Sequence, residues 1–359
     1  MESPNTFSWL HISDFHAGMD GSNNKWEQIR TKFHQDISRH IEKHGNVDLV
    51  VFSGDLTQKG TAEEYATVLS ELKILWKNFR DSSQNPALFL VPGNHDLTRP
   101  KAGSPILLAI SQWGQDGIEE QLMRTPDNFY LQDLQKCFSG YSKLIEEIKK
   151  TDIPLALDHQ GTLPGEGSAI LQVGDYQIGI VGINTAWSHL QGGNLKPKIH
   201  ISEEQIHHSV PSSLESWIAG NHINLLVTHH PESWFTDESA ATFRNEINPL
   251  GRFSAHLFGH MHESINKLED FGQGRPKLSL QAASLFGLEK YAQNRYDRRH
   301  GYYYARLNFD EHQLRVWPKR AEIINGAGGW SMRPETASLP EEEHESAVVP
   351  MEVKNQKKK

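Results

Sequence analysis

The 359-residue chain carries 36 Lys and Arg against 45 Asp and Glu, a formal charge of −9, and 37 % of its residues are hydrophobic. That length suits two domains or one large α/β domain with insertions, and the acidic balance argues against a surface gripping a nucleic-acid backbone, which draws on basic residues releasing counterions. No run approaches the roughly 18 apolar residues of a membrane span, no basic region followed by an apolar stretch precedes the first strand, and the single cysteine, Cys137, excludes an internal disulfide, so a cytoplasmic protein without a membrane partner is expected.

The first β-prone run, Phe7 to Ile12, leads into Asp14-Phe15-His16. Trp26, Ile29, Phe33, Ile37 and Ile41 then keep helical spacing until His44-Gly45-Asn46 stops the helix. Val47 to Phe52 reads as a buried strand ending in Gly54-Asp55, and Tyr65, Val68, Leu69, Leu72, Leu75, Trp76 and Phe79 form the face of a second helix. A third strand, Ala87 to Val91, runs into Gly93-Asn94-His95-Asp96. From about Leu97 to Gly167 the pattern changes to helical stretches at Ile106 to Trp113 and Leu131 to Ile148, read as a helical cap inserted beside the site. Its Trp113, Phe129 and Tyr130 are large enough to stack a base, although a cap's own core uses aromatics too.

Strands follow at Ala169 to Val173, Tyr176 to Ile183 and Ile223 to Val227, the last ending in Thr228-His229-His230. His256-Leu257-Phe258 leads into Gly259-His260-Met261-His262. Lys277 to Gln281, Tyr302 to Phe309 and Gln313 to Trp317 complete the β-prone runs, several alternating and expected to be antiparallel. Arg295, Arg298, Arg299, Lys319 and Arg320 make a local basic cluster, and the stretch from about Pro334 to Lys359, acidic and then lysine-rich, predicts a disordered tail.

Five polar blocks thus leave the ends of apolar strands, where open α/β sheets place their ligands. Asp14, His16, Asp55, Asn94, His229, His260 and His262 offer carboxylate, imidazole and amide donors and no thiolate. Such a set suits Mn, Fe, Zn, Ni or Co rather than Ca or a sulfur-rich structural zinc, and exceeds what one tetrahedral ion uses.

The blocks, in this order and over Phe7 to about Arg320, resemble the calcineurin-like metallophosphoesterase superfamily, whose pattern is D-x-H, G-D, G-N-H-D/E, H and G-H-x-H. The resemblance implies an α/β fold, a four-layer α/β/β/α sandwich, here as a catalytic domain of residues 1–333 with 97–167 as the cap insertion and 334–359 as the tail. It implies two divalent transition-metal ions, Mn foremost, with Asp14, His16, Asp55 and His262 at the first, Asp55 bridging, and Asn94, His229 and His260 at the second. His95 would serve the leaving oxygen of a scissile phosphate, Asp96 would orient that imidazole, and a metal-bridging hydroxide would attack in line. His230, beside His229, is expected to face away.

The substrate is open at this level. Gly54-Asp55-Leu56-Thr57-Gln58-Lys59-Gly60 and the final Asp96 depart from the G-D-x-V-D-R-G and G-N-H-E of protein phosphatases. Gly54 to Tyr65 resembles bacterial cyclic-nucleotide phosphodiesterases, and Leu10 to Gly18 also resembles the nuclease subunits of double-strand-break repair complexes. The expectation is a phosphodiesterase whose partner is a nucleotide or other phosphodiester. The alternatives are a DNA or RNA nuclease, a phosphomonoesterase, or a metal-bound module holding a protein partner through the cap or tail.

Overall fold

The computed structural model describes residues 5–354 apart from 20–21, 116, 126, 262–264, 270–276, 286–288, 293–294, 298–299 and 325–328. The early apolar runs become short strands, β1 (Thr6–Ile12), β2 (Leu49–Phe52) and β3 (Ala87–Leu90), and each has two buried faces. Phe7, Trp9, Leu49, Val51 and Phe89 point to one side, while Leu10, Ile12, Val50, Phe52, Leu88 and Leu90 point to the other. Burial on both sides is why these strands read as continuous apolar runs rather than alternating ones.

The chain continues through β4 (His159–Gln160), β5 (Gly167–Val173), β6 (Tyr176–Gly182), β7 (Ile223–Val227), β8 (Ala255–Phe258), β9 (Ile265–Glu269) and β10 (Lys277–Gln281). After a two-stranded ribbon of β11 (Glu289–Ala292) and β12 (Arg295–Asp297) come β13 (Gly301–Asn308), β14 (Gln313–Ile324), β15 (Gly329–Pro334) and β16 (Ala347–Pro350). One sheet has the order β15-β14-β13-β1-β2-β3, with β16 also on β14; the other has β4-β5-β6-β7-β8-β10-β9. Strands β1, β2 and β3 are parallel, as are β6, β7, β8 and β10. β10 is parallel to β8 on one side and antiparallel to β9 on the other, and the alternating pairs β5/β6 and β13/β14 are antiparallel as expected.

Side chains from both sheets interlock in one core that joins Phe7, Trp9, Leu49 and Val51 to Ile178, Ile180, Leu225 and Leu257. Helices α1 (Ser22–His44) and α2 (Ala62–Asp81) cover the outer face of the first sheet with the apolar stripes predicted from their spacing. α2 starts at a capping box, Thr61 accepting from the Glu64 N–H while Glu64 accepts from the Thr61 N–H. α1 stops where Gly45 takes a φ of 88°, a left-handed conformation that glycine adopts without penalty. Next come α3 (Pro105–Ser111), α4 (Phe129–Cys137) and α5 (Ser139–Lys149), then α6 (Glu203–His208), α7 (Leu214–Ala219) and α8 (Asp237–Thr242). Ile206, Leu214, Trp217 and Phe243 from the later part of the chain cover the outer face of the second sheet against Val181 and Leu226. The architecture is the four-layer α/β/β/α sandwich.

Several segments differ from expectation. The helical stretch Leu131 to Ile148 is two helices, broken at Phe138, whose buried ring belongs to the small core of α3 and α4 with Trp187 and Leu190. α5 instead places Tyr141, Leu144, Ile145 and Ile148 in the main core beside α2, so the second half of the 97–167 stretch is part of the outer helical layer. The segment after 334 is not simply a disordered tail. β16 pairs with β14 over Gln313–Val316, and Ser346, Ala347, Met351 and Val353 are buried. The apolar residues of Ala347 to Val353 complete the edge of the first sheet, a long-range pairing that local charge obscures; residues 355–359 lie outside the described set. β14 itself runs to Ile324, well past Trp317.

Candidate metal centre

Parallel order puts the carboxyl ends of β1, β2 and β3 at one rim and those of β7 and β8 at the facing rim. The rims are joined by a bridge between Ser13 and Ser284, with the Leu285 N–H donating to the Ser13 carbonyl at 2.8 Å. The loops leaving these strands are tight. Asp14, His16, Asp55 and His260 have φ of 54°, 48°, 54° and 71°, the left-handed region that non-glycine residues avoid. Each such residue costs roughly 1–3 kcal/mol and persists only where surrounding structure enforces it, typically at functional sites. The flanking glycines are required by contact: a Cβ on Gly54 would come 2.6 Å from His229 Nδ1, and one on Gly93 would collide with Asp55.

The donors converge on Asp55. Its Oδ2 lies 3.9 Å from His16 Nε2 and 3.3 Å from His229 Nε2. His229 Nε2 is also 3.2 Å from Asn94 Oδ1 and 3.1 Å from His260 Nδ1. His16 Nε2 is 3.7 Å from Asp14 Oδ1, and the His260 N–H donates to Asp14 Oδ2 at 3.1 Å. The structure thus brings together Asp14, His16, Asp55, Asn94, His95, His229 and His260. His262, expected at the first ion, lies outside the described residues.

The donor chemistry fits divalent cations. His229 Nδ1 sits 2.8 Å from the Ser53 carbonyl, so the proton belongs on Nδ1 and the Nε2 lone pair faces Asp55, Asn94 and His260. Lone pairs of oxygen and nitrogen at that spacing repel unless a cation or a proton sits among them. Burial disfavours charge on His229, but the Asp55 carboxylate outweighs it and lifts the imidazole to about 9, the protonic substitute for a metal. Burial likewise opposes charge on Asp55, while His229, His95 and His16 hold its carboxyl well below the usual range. Asp55 belongs to two donor groups, one with His16 and His95 and one with Asp14 and His229. A carboxylate shared in this way suits a pair of ions of the N/O-liganded transition series.

His95 and Asp96 are placed differently from the expected hydrogen-bonded pair. His95 Nδ1 is 2.9 Å from the Gln58 carbonyl, and its ring meets the His16 ring edge-on at 4.9 Å between centroids. The Asp96 carboxylate accepts from the N–H groups of Leu56, Thr57 and Gly93 and from the Thr57 hydroxyl. It therefore ties the Asp55 loop to the Gly93 loop instead of steering the His95 ring. Burial, followed by the Asp55 charge, raises this carboxyl to about 7.

Sequence reasoning missed four residues around the centre. His230 does not turn away. Its ring is fully buried 4.5 Å from that of His260, with Nδ1 3.0 Å from Thr185 Oγ1 and Nε2 3.1 Å from His189 Nδ1. His189, on the loop after β6, has Nε2 3.2 Å from the Gly193 carbonyl. Trp234 meets the His260 ring at 4.0 Å and 90°. Arg99 donates to the carbonyls of Asn94 and His189 at 3.3 and 3.4 Å. Only His230 had a signal, its place beside His229; His189 and Arg99 are single loop residues, and Trp234 ends a short 3₁₀ turn, Glu232–Trp234.

Other sequence candidates lie elsewhere. Trp113 packs on Trp187 in the core of the α3–α4 region, and Phe129, exposed, pairs with Tyr130. Lys319 and Arg320 face Asp36 and Glu335 at 3.7 and 3.5 Å. Arg298 and Arg299, and the side chain of Arg295, fall outside the described residues. Cys137 is buried, which pushes its thiol up to about 11 and away from reactivity. Among the described residues no helix is long and apolar enough to cross a membrane.

The sequence pattern describing calcineurin-like phosphoesterases matches residues 7–264. No curated protein matches the chain. Among solved structures, the purple acid phosphatase PPD1 from yellow lupin (Lupinus luteus) seeds is similar at 12 % identity, covering 92 % of this chain and 54 % of its own, with a TM-score of 0.45. Vps29 of Chaetomium thermophilum is similar at 10 % identity over 96 % of this chain and 97 % of its own, with a TM-score of 0.36. This chain spans about half the length of the lupin phosphatase.

Proposed function

Because the chain belongs to the calcineurin-like phosphoesterase family, we propose that it is a metal-dependent phosphoric ester hydrolase acting on phosphodiesters, a nucleotide or a related small diester foremost. The observation that carries this reading is the Asp55 carboxylate, shared between His16 on one side and His229 on the other. When bound, two divalent ions, Mn among the candidates, would supply Lewis acidity at this site, lowering the pKa of water toward neutrality and offsetting phosphoryl charge.

The chain's own groups do the rest. Asp14, His16 and Asp55, and Asp55, Asn94, His229 and His260, are the described residues that would hold the two ions. Ser53 keeps His229 in the tautomer that leaves Nε2 free, and Asp96 holds the loops of Asp55 and Gly93 in register. The Gln58 carbonyl, accepting from His95 Nδ1–H, leaves Nε2 as the atom that delivers a proton to the departing ester oxygen. No covalent enzyme intermediate is required.

The nuclease alternative rested on a basic patch and on the aromatics of the 97–167 stretch; the two described members of that patch with placed side chains are each beside an acid, and Trp113 packs on Trp187, while Phe129 is exposed beside Tyr130. Hydrolysis of bis-p-nitrophenyl phosphate by protein loaded with Mn, Zn, Fe, Ni or Co, and its loss in Asp55→Asn, tests the proposal. A wild-type protein inert with every ion would sink it, and the partner-binding alternative would take its place. Degradation of DNA or RNA by the same preparation, lost in the same variant, would move the assignment to the nuclease.

A further inference from the structure

We propose that Arg99 and Trp234 form a substrate subsite beside His260, a guanidinium for the phosphodiester anion and an indole for a planar ring on one ester group. This rests on the phosphodiesterase reading and names its substrate class: a nucleotide-like diester in preference to a dialkyl one.

Arg99 is anchored at the rim by two backbone carbonyls. One belongs to Asn94, whose own side-chain oxygen is 3.2 Å from His229 Nε2, and the other to His189. A guanidinium has five N–H donors in a planar fork, so two such bonds leave three. The Arg99 side chain is exposed, and donors held in this geometry suit the paired oxygens of a phosphoryl group.

Trp234 borders the same imidazoles from another direction. Its ring stands perpendicular to that of His260 at 4.0 Å, and its Nε1–H donates to Met261 Sδ at 3.1 Å, which fixes the plane of the indole. The residue is only half-buried. His189 connects the two groups, because its carbonyl holds Arg99 while its ring lies 6.2 Å from the Trp234 ring at an interplanar angle of 30°. A fixed cation and a fixed, partly open π-face flanking one phosphoryl site match an anion that carries a planar ring. A dialkyl diester would use the first and waste the second.

Two diesters with the same non-aromatic leaving group, followed by fluorine NMR of the released trifluoroethanol, separate these roles in the metal-loaded, full-length protein: thymidine 5′-(2,2,2-trifluoroethyl phosphate) and methyl 2,2,2-trifluoroethyl phosphate. Trp234→Leu is expected to lower kcat/KM for the thymidine ester roughly tenfold more than for the methyl ester. Arg99→Gln is expected to raise KM for both by roughly tenfold, with a smaller change in kcat, and to weaken inhibition by inorganic phosphate in parallel; Arg99→Lys recovers part of that loss. Equal losses on the two esters in Trp234→Leu, phosphate inhibition indifferent to Arg99→Gln, or loss of bound metal in either variant would overturn the subsite. If wild type cleaves neither ester, the phosphodiesterase reading fails by itself. The subsite is then judged by calorimetry with thymidine 5′-monophosphate and inorganic phosphate: selective weakening of the nucleotide in Trp234→Leu supports it, and equal weakening or no binding by wild type overturns it.

Discussion

Asp55 Oδ2 lies 3.3 Å from His229 Nε2, although the two residues leave strands of different sheets. The carboxylate and the imidazole approach with a raised His229 pKa and a depressed Asp55 pKa, the signature of a pair that wants a cation between or beside it. Asp55→Asn keeps the shape and removes the charge. It is expected to abolish binding of at least one ion and to lower kcat/KM by more than about 100-fold, beyond the effect of losing an outer hydrogen-bond partner. Metal content by elemental analysis, measured beside activity, checks both parts.

His95 shares a donor group with His16 and Asp55, and the Gln58 carbonyl holds its Nδ1. His95→Asn should lower kcat by about 10²–10⁴-fold for diesters with alkoxide leaving groups and far less for those losing p-nitrophenolate, which needs no proton. An equal loss on both leaving groups, or a loss of metal, would assign the ring to the metal instead.

A Cβ on Gly93 would collide with the Asp55 backbone N and its carboxylate. Gly93→Ala should therefore destabilise the fold by about 1–3 kcal/mol and reduce metal affinity, because the Asp55 loop must move. Denaturant titration in chelator, followed by metal titration, separates the two effects.

Ions held by the folded site alone must stabilise it. A metal at 100 times its Kd adds about 2.7 kcal/mol, so Tm should rise with added Mn or Zn and fall on chelation, with hydrolysis lost and restored in step. Asp55→Asn should show a smaller rise. A Tm indifferent to metal in the wild type would contradict a metal site built by the fold.

Burial lowers the His40 imidazole to about 2, helped by His44 and the cations Lys319, Arg306 and Lys43. Burial also takes His11 and His256 to about 3. These depressed folded-state values mean that the unfolded chain binds more protons below about pH 6.5. Stability from keeping these rings neutral is present above that pH and is lost as pH falls toward 3, at about 1.4 kcal/mol per pH unit per ring. Glu166 acts with the opposite sign, because burial raises it to about 8; its contribution is present below 4.5 and is lost as pH rises through 8. His40 stacks on Tyr304 at 3.6 Å and 4°, so His40→Phe preserves the stack. Its stability between pH 4 and 6 should fall less steeply than that of wild type by about 1.4 kcal/mol per unit, read from urea denaturation at each pH.

Much of the frame was legible from residue order. Two-sided burial made β1, β2, β3 and β7 apolar runs, helical spacing marked α1 and α2, and the polar residues after each strand announced a site at one end of a sheet. Those signals are local, because periodicity and strand-end chemistry are properties of a few consecutive residues. The edge strand β16 was hidden because its pairing with β14 is a long-range relation, and the surrounding Glu and Lys residues dominate the local composition.

The sequence by itself determined which chemistry is available: carboxylate and imidazole donors after buried strands, with glycines where loops must pass closely. Only the tertiary structure decided which groups meet. Asp96 binds the loops of Asp55 and Gly93 and leaves the His95 ring to the Gln58 carbonyl, and His230 stays at the site because Thr185 and His189 occupy its two nitrogens. The reason is physical. A hydrogen bond depends on separations of a few tenths of an ångström between segments far apart in sequence, and strand order with loop conformation, including the positive φ at Asp14, His16, Asp55 and His260, sets those separations.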